Sequence, residues 1–313
     1  MIKNQNNVTR IILNLTQQKS SNNTSPLYGG QAVIEGVMIR ARNVCTVAVR
    51  RPDGEIVRHT LPLYSWANGT FRKIPLFRGI IVLLETMVIG MKALAISSSE
   101  SSGEDLIEKP GKISMALTLL VALIFSIGIF FLLPLYLSEI YDKKFQNELI
   151  SNIIEGFLRL VLFVGYIWLI GRFKDIKRVF GYHGAEHMTV HLIEQNDELN
   201  LKNVKKYPPE HPRCGTSFLL TVVFISILFF IIVPREPFWF LIISRIIFIP
   251  FIAGISYELI RFSGFHSKNI FVNWLGYPNL LLQKLTTREP DDSMIEVAIN
   301  AMEYAIELDS KSD

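Results

Sequence analysis

Charge is scarce in this chain. Asp, Glu, Lys and Arg make up 19% of its 313 residues, against about 25% in ordinary soluble domains. Half of the residues are hydrophobic and the mean hydropathy is +0.31, which argues against a disordered chain and against an ordinary cytosolic enzyme. Cysteine is nearly absent: Cys45 and Cys214 stand far apart. They make no disulfide framework, which fits a reducing compartment. The net charge is only +4, and no basic cluster is interleaved with aromatics, so nucleic acid is not an expected partner. Residues 1–27 lack the apolar core of a signal peptide. They are rich in Asn, Ser and Thr and read as a disordered polar tail.

What the chain has instead is long apolar runs. A helix crosses a bilayer with roughly 17–25 apolar residues. Met115–Leu137, Ile153–Gly171, Phe218–Val233 and Phe238–Ile260 are read as four such runs, the third being the shortest and the least secure as a full span. Pro234, Arg235, Glu236 and Pro237 form a tight turn between the last two, as in an antiparallel hairpin. A fifth stretch, Leu76–Ile96, carries Arg78, Glu85 and Lys92 at spacings of seven, hence on one helical stripe. Holding Glu85 near the bilayer centre would cost a few kcal/mol or more. An interfacial helix is therefore expected over 76–98, with a fifth span built around a functional Glu85 as the alternative. Arg172–Gly215 holds eight basic residues and Ser138–Asn152 two, which places the longer connection and both termini on the cytoplasmic or stromal side.

The expected class is thus mainly α: a polytopic helical membrane protein with four spans, an interfacial helix and a small β-containing N-terminal cytoplasmic element. That element covers 28–75. Val44–Arg50 and Ile56–Leu61 alternate and are β-branched, and Arg51-Pro52-Asp53-Gly54 between them is a hairpin turn signal. Tyr28–Arg40 reads as a turn feeding an extended segment. Its glycines suit turn geometry rather than a phosphate loop, since no Lys-Ser/Thr helix follows. The membrane domain covers 113–262, with the connection 172–215 inside it. The tail 263–313 carries an amphipathic helix over Pro290–Leu308, with Ile295, Ile299, Met302 and Ile306 at helical spacing, expected to pack on the cytoplasmic domain. Within the spans, Glu155 and Arg159 sit one turn apart and can pair. Arg245 should face the bundle interior or snorkel, and Pro250 with Gly254 marks a kink.

Four of the six histidines lie in the 172–215 connection: His183, His187, His191 and His211. His183 and His187 are one turn apart, so their rings can converge on one ion. His183 and His191 are separated by about 12 Å along a helix, while a metal–nitrogen bond is only about 2 Å. One histidine must be left out, and His191 is the expected outlier. Glu186 precedes His187, giving His-x-x-Glu-His, in which two histidines bind zinc and the glutamate works as general base. The third ligand could be His211, with Cys214 a fourth ligand or a neighbour. Glu194, about 10 Å further along from His187, joins only if the helix ends or bends. Three ligands with an open position mean catalysis, and a closed set of four means a structural site.

Four segments in order resemble one family. They are Gly29–Met38, Tyr182–His187, His211–Phe218 and Leu285–Asp291. Together they look like the YqhQ-like membrane proteins, a domain-of-unknown-function family described as predicted metal-dependent enzymes. The resemblance covers Tyr28 to about Leu308, and its pattern matches at His183, Glu186, His187, Glu194, His211 and Cys214, with His191 outside it. It implies a divalent metal, zinc by the donor set, and an enzyme without an assigned substrate. The expected function is a zinc hydrolase at the cytoplasmic surface of a bacterial plasma membrane or a thylakoid-type membrane. A non-catalytic scaffold or assembly factor with a structural metal and a membrane-protein partner is the alternative, and a small-solute transporter a weaker one.

Overall fold

The computed structural model describes residues 28–64, 70–103, 111–145, 147–235, 237–266 and 269–311. The polar tail 1–27 lies outside them. Strands β1 (Gly29–Val33), β2 (Gly36–Arg40), β3 (Cys45–Arg50) and β4 (Ile56–Leu61) form an antiparallel sheet in the order β1-β2-β3-β4. The expected β3–β4 hairpin is there, its turn closed by Gly54 at φ 90°. Tyr28–Arg40 is more than a turn and an extended segment: it is a second hairpin, Val33 pairing with Gly36 across Ile34 and Glu35. Glu35 takes φ 50° there, a conformation uncommon for residues other than glycine. Arg178 donates from both Nε and Nη2 to its carboxylate at 2.5 Å each, and the Tyr182 hydroxyl donates to it at 3.1 Å.

The sheet is covered on both faces, as its period of two requires when alternate residues on each side are apolar. On one face Val33, Met38, Cys45, Val47, Val49 and Leu61 pack against Ile89 and Ala93 of helix α1 (Phe77–Ser102). The charged stripe of α1 is present and fully partnered. Arg78 pairs with Glu258, Glu85 accepts from Arg40 at 3.0 Å and Arg72 at 3.1 Å, and Lys92 lies over the Tyr64 ring. The opposite side of α1 exposes Phe77, Leu84, Met87 and Leu94.

The apolar bundle follows. Helix α2 (Lys112–Ile127) passes through a π turn, Gly128–Leu132, into α3 (Leu133–Phe145), and α4 spans Glu148–Ile170. Next come α5 (Lys174–Gln195), the single turn α6 (Leu201–Val204) and α7 (Gly215–Ile231). Helices α8 (Phe238–Ile247) and α9 (Ile249–Phe265) meet at Phe248, with Pro250 in the first turn of α9, so the expected kink is a break between two helices. Among the described residues, four helical stretches are long and apolar enough to cross a membrane: Phe77–Ser102, Ile113–Ile140, Glu148–Ile170 and Trp239–Gly264. This set differs from the expected one. Leu76–Ile96, set aside for its charges, belongs to a helix that qualifies by length and apolar composition, its charged stripe lying on one face against partners. Phe218–Val233 belongs to α7, whose 17 residues fall short. Even so, α7 sits in the bundle, with Leu220 and Val223 against Phe163 and Ile167 of α4.

The bundle buries one carboxylate among three guanidinium groups. Glu155 accepts from Arg159 at 2.6 Å, Arg245 at 2.7 Å and Arg235 at 3.3 Å. The pairing of Glu155 with Arg159 and the inward aim of Arg245 are as expected.

The segment 263–313 contains two helices where one was expected. Helix α10 (Ile270–Thr286) carries Pro278 inside it, which hid it from a search for helical periodicity. Helix α11 (Asp292–Asp309) is the amphipathic helix, capped by the Asp291 side chain accepting from the Met294 amide at 3.0 Å. It packs with α5 on the sheet face opposite α1: Val37, Ile39 and Ala48 meet Ala185, Met188, Ile295, Val297, Ala301 and Met302.

Candidate metal centre

His183, His187 and His191 lie on α5, which is held between the sheet, α11 and the segment just before α11. Two glycines allow the approach. At Gly184 an added Cβ would fall 2.2 Å from the Arg288 carbonyl oxygen, and at Gly30 of β1 one would fall 2.6 Å from Glu186. Gly30 is therefore neither a turn residue nor a phosphate cradle; it is the place where the edge strand passes over the Glu186 carboxylate. The helix is further tied by the Arg288 amide, which donates to the Phe180 carbonyl at 2.9 Å.

One nitrogen of each ring is committed to the main chain. Nδ1 of His183 donates to the Thr286 carbonyl at 2.8 Å and Nδ1 of His187 to the Pro209 carbonyl at 2.6 Å. That leaves both Nε2 lone pairs available, the usual arrangement behind a metal-ligating imidazole. Nε2 of His183 lies 3.2 Å from Cys214 Sγ. His183, His187 and Cys214 each bring one ligand atom within 4.8 Å of the others. Cys214 is the N-cap of α7, and its sulfur accepts the Thr216 amide at 3.3 Å.

His211 does not complete this group. It joins His191 and Glu194, whose ligand atoms also lie within 4.8 Å of one another. Nε2 of His211 is 3.1 Å from Glu194 Oε1, and its Nδ1 accepts the Arg213 amide at 3.2 Å. Of the expected set, His183, His187 and Cys214 come together and His191 stays outside them, while His211 joins His191 and Glu194 instead. His211 and Cys214 are three residues apart on a strand of loop running beside α5, so they reach different turns of the helix. Cys214 meets the first pair of histidines and His211 the later turn. Ring centroids are 4.3 Å apart for His183–His187 and for His191–His211, and 5.7 Å for His187–His211.

The loop's register is set by a residue that motif reasoning missed. Gln283 of α10 accepts the His211 amide at 2.7 Å and donates to the His211 carbonyl at 2.9 Å and the Ser217 hydroxyl at 2.9 Å. Only its proximity in sequence to Leu285–Asp291 could have drawn attention to it. That segment supports the site through main-chain atoms: Thr286 holds His183 and Arg288 holds α5.

Burial sets the protonation states. It lowers the pKa of His187 and of His211, and lowers that of His191 to about 4 despite the Glu210 carbonyl, which accepts its Nε2–H at 2.9 Å. Near neutral pH these rings are neutral and keep a lone pair. Burial raises the pKa of Glu186, opposed by the charges of His183 and His211. The Glu186 carboxylate lies 3.5 Å from His187 Nε2.

Comparison with known proteins places this geometry. The profile of a family described as "Protein of unknown function (DUF1385)" matches residues 74–308. The chain belongs to the DUF1385 family. Its similarity to a curated member, the "Uncharacterized protein YqhQ" of Bacillus subtilis (strain 168), is 35% identity over 307 residues, covering 94% of this chain and 96% of that protein. No solved structure matches the chain. The DUF1385 match begins at Ile74, so it takes in the histidines of α5 and the loop with His211 and Cys214 and leaves out the sheet, whereas the likeness to the B. subtilis protein extends over most of the chain.

Proposed function

We propose that this DUF1385 protein is a metal-dependent hydrolase working at the cytoplasmic surface of a membrane. The observation that carries the reading is the convergence of His183 Nε2, His187 Nε2 and Cys214 Sγ, with both Nδ1 hydrogens already committed to carbonyls. Two imidazoles and a thiolate are a donor set for zinc, and three ligands leave an open position, the catalytic pattern. Zinc held there supplies Lewis acidity to a polarised carbonyl or phosphoryl oxygen. Glu186 is the general base. Its raised pKa brings it toward the working pH, where a carboxylate exchanges protons most usefully. Gly30 and Tyr182 close the site from the sheet side: Gly30 lies against Glu186, and Tyr182 ties α5 to the turn at Glu35. The basic connection 172–215 faces the cytoplasm or stroma in this reading, together with both termini.

A second reading is favoured by depth. Glu186 and His211 are 4% exposed and His187 is 2% exposed, and a closed centre would serve as a pin in a non-catalytic membrane scaffold. Coordination number separates the two. The experiment is to purify the full chain in detergent and measure zinc retained by wild type, His187→Ala and Glu186→Gln, then assay ester, peptide and phosphoester probes. The hydrolase reading expects Glu186→Gln to keep its zinc and lose turnover. Zinc content indifferent to His187→Ala removes both readings, and a four-ligand protein centre seen by X-ray absorption leaves the scaffold.

A further inference from the structure

The stripe of histidines on α5 does not stop at the proposed zinc ligands. One turn beyond His187 comes His191, and three residues later Glu194, both facing His211 from the loop. We propose that this second group binds a divalent cation of its own, so that the protein carries two separate metal centres side by side along α5.

Ligands around a tetrahedral ion at about 2.0–2.3 Å lie about 3.3–3.8 Å from one another. One atom each from His191, Glu194 and His211 already lies within 4.8 Å of the others, the same closeness as in the first group. Small side-chain adjustments complete either sphere. The groups are two centres rather than one because the ring spacing widens from 4.3 Å within each pair to 5.7 Å between His187 and His211. Two ions bridged by a single oxygen sit about 3.5–4 Å apart; helical rise carries these sites further apart than that.

The second group has the features that orient metal ligands elsewhere. Nε2 of His191 donates to the Glu210 carbonyl at 2.9 Å, which leaves Nδ1 with the lone pair. The His191 ring stacks on Tyr207, which is itself held by its hydroxyl donating to Asp197 at 2.6 Å. Glu194 is the penultimate residue of α5, where the helix end favours positive charge. Arg213 already answers that demand by pairing with Glu194; a cation shares the carboxylate with it and takes the Nε2 lone pair of His211, whose ring proton moves to Nδ1 and gives up the contact from the Arg213 amide. The donor set is two nitrogens and an oxygen with no sulfur, harder than that of the first centre. Its effect is mechanical. An ion on His211 buckles the loop to α5 three residues before Cys214, and so holds the sulfur at its own centre. The inference stands whether or not the first centre is catalytic.

The test uses the full chain in detergent, depleted of metal and titrated with Zn²⁺ and then with Co²⁺. Only the centre with Cys214 gives a thiolate-to-cobalt charge-transfer band in the near ultraviolet. Wild type should bind two equivalents. His191→Ala and Glu194→Gln should each bind one and keep the band, which also shows that the first centre is still folded. Cys214→Ser should bind one and lose the band. A wild type binding one equivalent that is unchanged in His191→Ala overturns the second centre; Arg213 is then the whole answer to Glu194. Loss of both equivalents and the band together in Glu194→Gln, which keeps the shape of the side chain, also overturns it, in favour of one shared centre. One equivalent without a band, abolished by His191→Ala, upholds the second centre and removes the ligand set proposed for the hydrolase.

Discussion

Two regions of this molecule bury ionisable groups, and they treat them differently. In the apolar bundle, Glu155 receives three guanidinium groups, and the remaining donors of those arginines reach Asn152, Ser138, Ser226 and the Phe130 carbonyl. Every contact there is between the protein's own donors and acceptors. Beside the sheet, the imidazoles of α5 each spend one nitrogen on a carbonyl and turn the other toward a neighbouring ligand atom. A charge cluster that satisfies itself holds helices together. A cluster of lone pairs aimed at one another repels or waits for a cation. Burial alone does not mark function; the direction of the unspent lone pairs does.

The largest effect should come from breaking the first region. Glu155→Ala leaves Arg159 and Arg245 buried without the carboxylate they pair with, and Arg235 with Glu139 in its place; removing one partner of a buried ion pair costs about 3–5 kcal/mol. Such a variant should fail to accumulate as a monodisperse species in detergent. A normally folded Glu155→Ala would mean that the arginines reach water or lipid headgroups, and the contrast between the regions would weaken. Next comes Gly30→Ala. A Cβ there falls 2.6 Å from the Glu186 side chain, and such overpacking typically costs about 1–3 kcal/mol. The expected outcome is a lowered unfolding temperature and loss of any Glu186-dependent turnover, with zinc still bound at His183, His187 and Cys214. Unchanged stability would place β1 further from α5 than the structure has it.

The smallest effect belongs to the hairpin turn. Arg178 lowers the Glu35 pKa below its ordinary 4.5 by hydrogen bonding and charge. Between the folded and ordinary values the unfolded chain holds a proton that the folded chain does not. The pair therefore stabilises the fold above pH 4.5 and ceases to do so as pH falls through the folded value. Arg178 is half exposed, so screening keeps the contribution under about 1 kcal/mol. Arg178→Ala should lower the unfolding temperature slightly at pH 7 and leave it unchanged below the Glu35 titration. An equal loss at every pH would assign the effect to packing instead.

Much of the site was legible in the sequence because it is helical. A period of 3.6 puts His183, Glu186 and His187 together without any tertiary information, and the same period identified α11; the cost of a charge in an apolar span pointed Arg245 to the interior or the interface. The β3–β4 hairpin was legible from its Asp-Gly turn. The β1–β2 hairpin was not, because its turn is Ile34–Glu35 and the positive φ of Glu35 is sustained by partners more than a hundred residues away. The pairing of Cys214 with the first two histidines, and of His211 with His191, was also beyond reach. It depends on how a loop is registered against a helix, and that register is fixed by Gln283 from a helix whose internal proline concealed it.

The grip of Gln283 has a consequence for how the site is connected to its surroundings. The outer side of α10 presents Ile270, Phe271, Trp274 and Leu275 bare, while its last turn holds the main chain of His211 from both sides. Whatever hydrocarbon rests on that outer side is mechanically joined, through one amide side chain, to the spacing of the imidazoles. In the proposed metal centre, a push on that outer side reaches the ligands through the same amide.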